Sequence, residues 1–266
     1  MSEDLPRARK SLGQHWLTSP AALESICSAG EVTPDDTIVE IGPGTGTLTS
    51  LLVRQAKNVI AVEYDPILAA ALPERVPADN LEVVTQDILR FDFSKVPAGY
   101  KVIANIPYYL TSNLIRVLSE TPNQAERVVI LIQKEVARRV AALPGAYSLL
   151  SVSAQYYWDV SLGVEIPAKL FTPPPKVDSQ VVLMHRRAQE LFPGADEKQF
   201  FRLVRLGFSA RRKTLLNSLS AGLRVEKDVT KAVLNECYIE PSLRAQNLSL
   251  EQWYMLYTAC LKQGLL

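Results

Sequence analysis

Three cysteines in 266 residues, at positions 27, 237 and 260, are too few and too far apart for a disulfide framework. None forms a C-x-x-C pair, so a zinc clasp is not expected either. They read as small, reduced core residues. Two histidines, His15 and His185, are too few for a metal site of the usual kind. No metal is therefore expected. No stretch approaches eighteen apolar residues, so nothing is expected to span a membrane. The opening MSEDLPRARKSLGQHWL has no apolar core of a signal peptide, and the chain reads as cytoplasmic. A net charge of +1 names no partner by itself. Internal repeats and low-complexity tracts are missing as well.

What is present begins with apolar residues, 47% of the chain, enough for a substantial core. The first half alternates short apolar runs with helical patterns. Strands are expected at 37–42, 59–65, 81–87, 101–108 and 127–133, with helices at 47–56, 113–120 and 134–143 between some of them. That alternation predicts a mostly parallel sheet with helices on both faces. SLLSVSAQYYWDV (148–160) and SQVVLMHRR (179–187) read as longer strands, antiparallel at one sheet edge. IPAKLFTPPPKVDS (166–179) is a proline-rich loop between them. From 196 onward only helical patterns remain, at 196–208, 211–221, 226–236 and 249–262. LFPGADE (191–197) reads as a linker. The expected division is a catalytic α/β domain over 1–190 and a small helical domain over 191–266. The second carries 11 Lys/Arg against 7 Asp/Glu, which suits either a polyanionic partner or a solvated helical surface.

VEIGPGTGTLT (39–49) leaves a strand, turns on glycine and enters a helix. Gly42, Gly44 and Gly46 let a ligand approach the backbone and present amides at a helix start. The spacing departs from the dinucleotide fingerprint, because Thr47 stands where the third glycine would be. No Lys-Ser/Thr of a phosphate loop follows. The G-x-G-x-G form suits a ligand without pyrophosphate, such as S-adenosylmethionine. Two acids come after the next two strands. Glu63 is placed to accept from ribose hydroxyls, and Asp87 from an adenine amino group. Each alone could be an exposed loop charge; in order, at successive strand ends, they mark a nucleoside site.

Asn105, Ile106, Pro107 and Tyr108 end the fourth strand beside that site. An adenine amino nitrogen is a poor nucleophile, because its lone pair is delocalised into the ring. Two acceptors holding its N–H groups would favour a pyramidal nitrogen. The Asn105 side-chain oxygen can be one acceptor. The Ile106 carbonyl can be the other, held by the restriction that Pro107 imposes on the residue before it. Tyr108 offers a face for the base, an interaction worth about 1–3 kcal/mol. Catalysis of this kind is mostly positioning. The alternative is a strand-to-helix turn with a capping Asn and a core tyrosine. Phe171 is a second ring, either a stacking partner for the other face of the base or a packed loop residue. Arg211, Arg212 and Lys213, read as the first turn of the 211–221 helix, oppose its dipole there. Approaching phosphates would reverse that penalty; a solvated cap is the other reading. Arg138 and Arg139 would extend the basic patch.

SLGQHWL, VEIGPGTGTLT, VEYD, QDIL, NIPYYLTSNLI, FTPPPKVDSQVV and FSARRKTLLNSL occur in an order that resembles the ribosomal RNA adenine dimethyltransferases, in particular their KsgA-type small-subunit branch. The resemblance runs from about Lys10 to the C-terminus. It implies a class I, Rossmann-like methyltransferase fold with a seven-stranded sheet. It also implies S-adenosylmethionine as methyl donor, with S-adenosylhomocysteine as product. The implied substrate is a pair of adjacent adenosines near the 3′ end of 16S rRNA in the small ribosomal subunit, each dimethylated on N6. Family cofactor contacts fall by motif on His15, Leu17, Gly42, Glu63, Asp87 and Asn105, with Gly44 in the same loop. A monomer is expected. Two departures stand out. His15 and Trp16 replace an Asn-Phe pair common in the family, and Gln246 replaces a common Glu. The sister branch that methylates large-subunit rRNA is the nearest alternative, against which PPPKVDS and RRKTLLNSL weigh. A non-catalytic assembly factor on the same fold would not need Glu63, Asp87 and Asn105–Tyr108 intact. A nucleotide-dependent oxidoreductase is disfavoured by Thr47.

Overall fold

The computed structural model describes residue 9 and residues 13–266, which separate into two compact units. The first runs to Arg138 and resumes at Trp158–Arg186; the second comprises Arg139–Tyr157 and Arg187–Leu266.

In the first unit the elements are β1 (Trp16–Leu17), α1 (Pro20–Gly30), β2 (Thr37–Ile41), α2 (Thr49–Gln55), β3 (Asn58–Glu63), α3 (Pro66–Arg75), β4 (Leu81–Thr85), β5 (Lys101–Asn105), α4 (Thr111–Glu120), β6 (Arg127–Gln133) and the start of α5 (Lys134–Val140). After α6 (Leu149–Tyr157), which belongs to the second unit, come β7 (Trp158–Ile166), β8 (Phe171–Thr172) and β9 (Ser179–Arg186). Seven strands form one sheet in the order β4-β3-β2-β5-β6-β9-β7. The first five are parallel to one another; β9 runs antiparallel to β6, and β7 antiparallel to β9. This is the expected class I arrangement. β1 and β8 form a separate two-stranded pair.

Burial explains the run-like apolar strands. Ile38, Val59, Ile103 and Val129 pack with Leu23 and Ile26 of α1 and Leu52 of α2. Their neighbours Val39, Val102, Ala104, Val128 and Ile130 are equally buried, so both faces of the sheet are covered. At the amino ends of the strands, buried Lys101 meets Asp36 at 2.7 Å and Arg127 meets Glu31 at 2.5 Å. The chemistry lies at the opposite ends. Register pairs Ile41 with Val62 and Ala104, and Glu63 with Thr85, so β2, β3, β4 and β5 finish at one level.

The second unit has its own core, in which Phe200, Leu203, Leu219, Leu234 and Trp253 pack with Val152 and Tyr156. It contains α7 (Glu197–Phe208), α8 (Leu215–Leu223), α9 (Lys227–Glu236) and α10 (Leu250–Lys262). Two expectations are corrected here. First, 149–157 is helix α6, not strand, and residues 139–157 cluster with the helices instead of with the 1–190 segment. The reason is local. The Ser148 hydroxyl oxygen accepts from the Ser151 amide (3.2 Å) while the Ser148 amide donates to the Ser151 hydroxyl (3.0 Å). That reciprocal cap starts a helix. Second, α8 begins at Leu215 and not at 211, because Thr214 is its N-cap. Gln246, where the resemblance led to the expectation of a Glu, makes no ion pair among the described residues. It ties the 145–147 turn instead: its side-chain amide donates to the Gly145 carbonyl at 3.0 Å.

Candidate active site

A cavity of about 400 Å³ opens at the carboxyl ends of β2 to β5, within the usual range of roughly 300–1,000 Å³ for a small-molecule site. Four strand ends and one further segment supply its walls. After β2, Gly42, Gly44 and Gly46 all have positive φ (65°, 59° and 85°), a backbone that side chains other than glycine adopt at a cost. A Cβ at Gly42 would meet nothing within 4 Å, whereas one at Gly44 would strike the Trp16 ring at 2.7 Å. The loop therefore turns bare backbone at Gly42 toward the cavity and closes on Trp16 behind.

After β3, Glu63 is buried. One carboxylate oxygen accepts from the Gly44 amide at 3.1 Å and the other from the Asp65 amide at 2.9 Å. Burial raises this carboxyl above its ordinary value, and the amides of Asp65, Gly44 and Tyr64 pull it part of the way back. Asp65 caps α3 by accepting from Ile67 at 3.0 Å and holds Arg9 at 3.1 Å. After β4, Asp87 lines the cavity, and one of its oxygens accepts from the Leu89 amide at 3.0 Å. After β5, Asn105 and Pro107 complete the wall, and Ile106 between them is buried. The remaining wall is the segment from Gly13 to Leu17. His15 Nδ1 donates to the Pro173 carbonyl at 2.7 Å, which anchors this segment. The Leu17 carbonyl accepts from the Thr47 hydroxyl at 3.1 Å.

Tyr108 lies next to this cavity and not in its lining. Its ring stacks on His15, with centroids 6.1 Å apart and planes 24° from parallel. Its hydroxyl shares a hydrogen bond with Ser179 Oγ at 2.9 Å. Burial raises its pKa. Phe171 departs from the stacking expectation. It is only 3% exposed and packs in the same cluster as Leu17, Ile38 and Val181. The pairing of β1 with β8 sets it opposite Leu17, so the ring is a core residue and offers no free face.

Sequence reasoning missed three features. Glu40, at the end of β2, lines the cavity at 1% exposure. Its Oε2 has no hydrogen-bond partner among the described residues. Burial pushes it up to about 8, with Glu63 adding to the shift and the Thr49 hydroxyl opposing it. The signal was an acid inside the apolar run TIVEIG. Tyr64 and Tyr109, both more than half exposed, line the same cavity. Arg9 reaches Asp65 beside Glu63; only its proximity in space reveals this.

The basic candidates are exposed. Arg138, in the first unit, pairs with Glu165 at 3.2 Å, and Lys134 shares that carboxylate. Arg139 lies in the second unit, where its carbonyl accepts from the Ser151 hydroxyl at 2.6 Å. Arg211, Arg212 and Lys213 occupy the turn before α8, so they do not sit in its first helical turn and do not oppose its dipole there. The amides at that helix start are already engaged. Leu215 donates to the Leu243 carbonyl at 2.7 Å, Leu216 to Pro241 at 3.5 Å, and Asn217 to Thr214 Oγ1 at 3.4 Å. A phosphate held here would be held by side chains, not by the helix terminus.

A family model described as ribosomal RNA adenine dimethylase matches residues 6–262. A relative in Dehalococcoides mccartyi, called ribosomal RNA small subunit methyltransferase A, is 43% identical over 94% of this chain and 87% of its own length. Among solved structures, a dimethyladenosine transferase from Plasmodium falciparum superposes with a TM-score of 0.80 at 28% identity, covering 94% of this chain and 98% of the other. The 23S rRNA methyltransferase ErmE gives 0.74 at 28% identity, covering 92% and 98%.

Proposed function

The chain belongs to the ribosomal RNA adenine dimethylase family, and we propose that it uses S-adenosylmethionine to dimethylate the N6 amino groups of two adjacent adenosines near the 3′ end of 16S rRNA in the small ribosomal subunit. The observation that carries this reading is the convergence of the glycine turn, Glu63, Asp87 and the Asn105–Pro107 bend on one cavity. The donor set suits the cofactor. Glu63 and Asp87 are acceptors for its hydroxyl and amino groups, and Gly42 gives it a backbone surface with no Cβ in the way. Buried Glu40 keeps its proton up to about pH 8 in the cofactor-free protein; a ligand carrying an ammonium and a sulfonium at the cavity it lines would favour its ionised form. Bound there, the cofactor supplies an electrophilic methyl group.

The chain's own residues then do the positioning. Asn105, at the last residue of β5, accepts one N–H of the target amine through its side-chain oxygen. The Ile106 carbonyl accepts the other, fixed because a residue before proline is confined to extended backbone. With both N–H groups held, the nitrogen lone pair is aimed instead of conjugated. Tyr108, its hydroxyl anchored on Ser179 and its ring on His15, is set to hold the base by stacking. No strong base is required, since the proton leaves after the methyl has arrived. A ribosomal substrate implies work in the cytoplasm.

The alternative of a large-subunit substrate draws on the likeness to ErmE. That likeness is at 28% identity, against 43% for the relative named for the small subunit. Transfer of tritiated methyl from S-adenosylmethionine, offered separately to unmodified small and large subunits, tests the reading. Label in the small subunit alone is expected. Label in the large subunit alone would replace the substrate assignment.

A further inference from the structure

Tyr238 follows the last turn of α9 in the second unit. The residue is 93% exposed, and its backbone is left-handed at φ 55°, a conformation glycine would take without strain. The helix ends through backbone bonds alone: the Tyr238 amide donates to Asn235 at 3.0 Å and the Ile239 amide to Leu234 at 2.9 Å. Folding therefore gives no reason for a ring at this position, and some reason against one.

The surroundings supply a reason. The bonds from Leu216 to Pro241 and from Leu215 to Leu243 lash the segment after Tyr238 to the start of α8. Exposed Arg244 follows directly, and the turn carrying exposed Arg211, Arg212 and Lys213 leads into the same helix start. Among the described residues none of these four cations is in an ion pair. Glu240 is the one acid between Tyr238 and Arg244. An exposed aromatic residue on a segment tied to a helix start that follows unpaired cations suits a surface that stacks an unpaired base while those cations hold its phosphates. A protein partner would call for apolar neighbours, and the exposed residues flanking Tyr238 are Asn235, Glu236 and Glu240.

We propose that Tyr238 is a stacking platform for an unpaired base of the ribosomal RNA, set beside the basic turn at 211–213. The proposal rests on the rRNA reading above. It predicts opposite signs for folding and binding in one variant. Tyr238→Gly relieves the left-handed strain and should raise the melting temperature. It should also weaken binding to unmethylated small subunits about 5- to 150-fold, the span that corresponds to loss of one base–aromatic stack. Tyr238→Phe should bind like the parent. Ultraviolet cross-linking of the parent complex, mapped by mass spectrometry, should join Tyr238 to a nucleotide. Unchanged binding by Tyr238→Gly would overturn the proposal, as would a cross-link to a ribosomal protein. A variant that melts lower and binds worse would also overturn it, by making the ring structural. Methyl transfer by the parent protein reports separately on the function itself.

Discussion

Replacing Glu40 by Gln should change how the stability of the cofactor-free protein depends on pH. Glu40 is fully buried with an unpartnered Oε2, and its carboxyl is pushed from 4.5 up to about 8. Below pH 4.5 the group is protonated in both folded and unfolded chains and costs nothing. As pH rises toward 8 the unfolded chain ionises freely while the folded one keeps its proton. Stability is therefore lost over that window, and the loss stops once the folded group ionises as well. At roughly 1.4 kcal/mol per pH unit, the span from 4.5 to about 8 amounts to about 5 kcal/mol. Gln cannot titrate, so between pH 5 and pH 8 Glu40→Gln should gain about 4 kcal/mol on the parent, three pH units at roughly 1.4 kcal/mol each. Glu63 and Cys27, the titratable groups coupled to Glu40, are present in both proteins and largely cancel in the difference. Urea unfolding of both proteins at unit pH intervals measures it. Stability curves that stay parallel from pH 5 to 8 would refute the claim that Glu40 is buried as an acid.

Other expectations follow from the site. Glu63→Ala should weaken cofactor binding by about 1.5–3 kcal/mol, the worth of hydrogen bonds to a charged group; calorimetry showing unchanged affinity in a folded variant would remove Glu63 from the site. Asn105→Ala and Tyr108→Ala should lose most turnover while RNA binding survives. Tyr108→Phe should keep far more activity than Tyr108→Ala, losing only the bond to Ser179, about 0.5–1.5 kcal/mol; equal loss would end the stacking assignment. The triple Ala variant at Arg211, Arg212 and Lys213 should flatten the log–log salt dependence of subunit binding by about 0.7–0.9 for each phosphate the protein no longer neutralises, and an unchanged slope with unchanged affinity would make the turn ordinary solvated surface.

The sheet was legible because the buried strands are apolar runs with sharp ends: TIVEIG stops at a glycine, VIAVEYD at an acid and KVIANIPY at a proline bend. The same punctuation located the cavity, since ligands in open α/β sheets bind where the strands end. The helix at 149–157 was not legible from periodicity. Val152, Ala154 and Tyr156 are all buried, a spacing that a strand would also give, and only the Ser148–Ser151 cap distinguishes the two. The start of α8 was misplaced for a similar reason, because the Thr214 cap carries less weight in a pattern than the cations before it. Phe171 could not be assigned from sequence, since its burial depends on β8 pairing with β1. Glu40 was passed over because an isolated acid in a strand looks like noise until its neighbours are known to be dry.

The most direct measurement of the central claim is the methyl count on the RNA. Unmodified small subunits are incubated with the protein and S-adenosylmethionine, and the digested 16S rRNA is examined by mass spectrometry. The account predicts two methyls on N6 of each of two neighbouring adenosines near the 3′ end, and loss of that product in Asn105→Ala. Methyl groups on another base or another ring position, or full modification by Asn105→Ala, would contradict it.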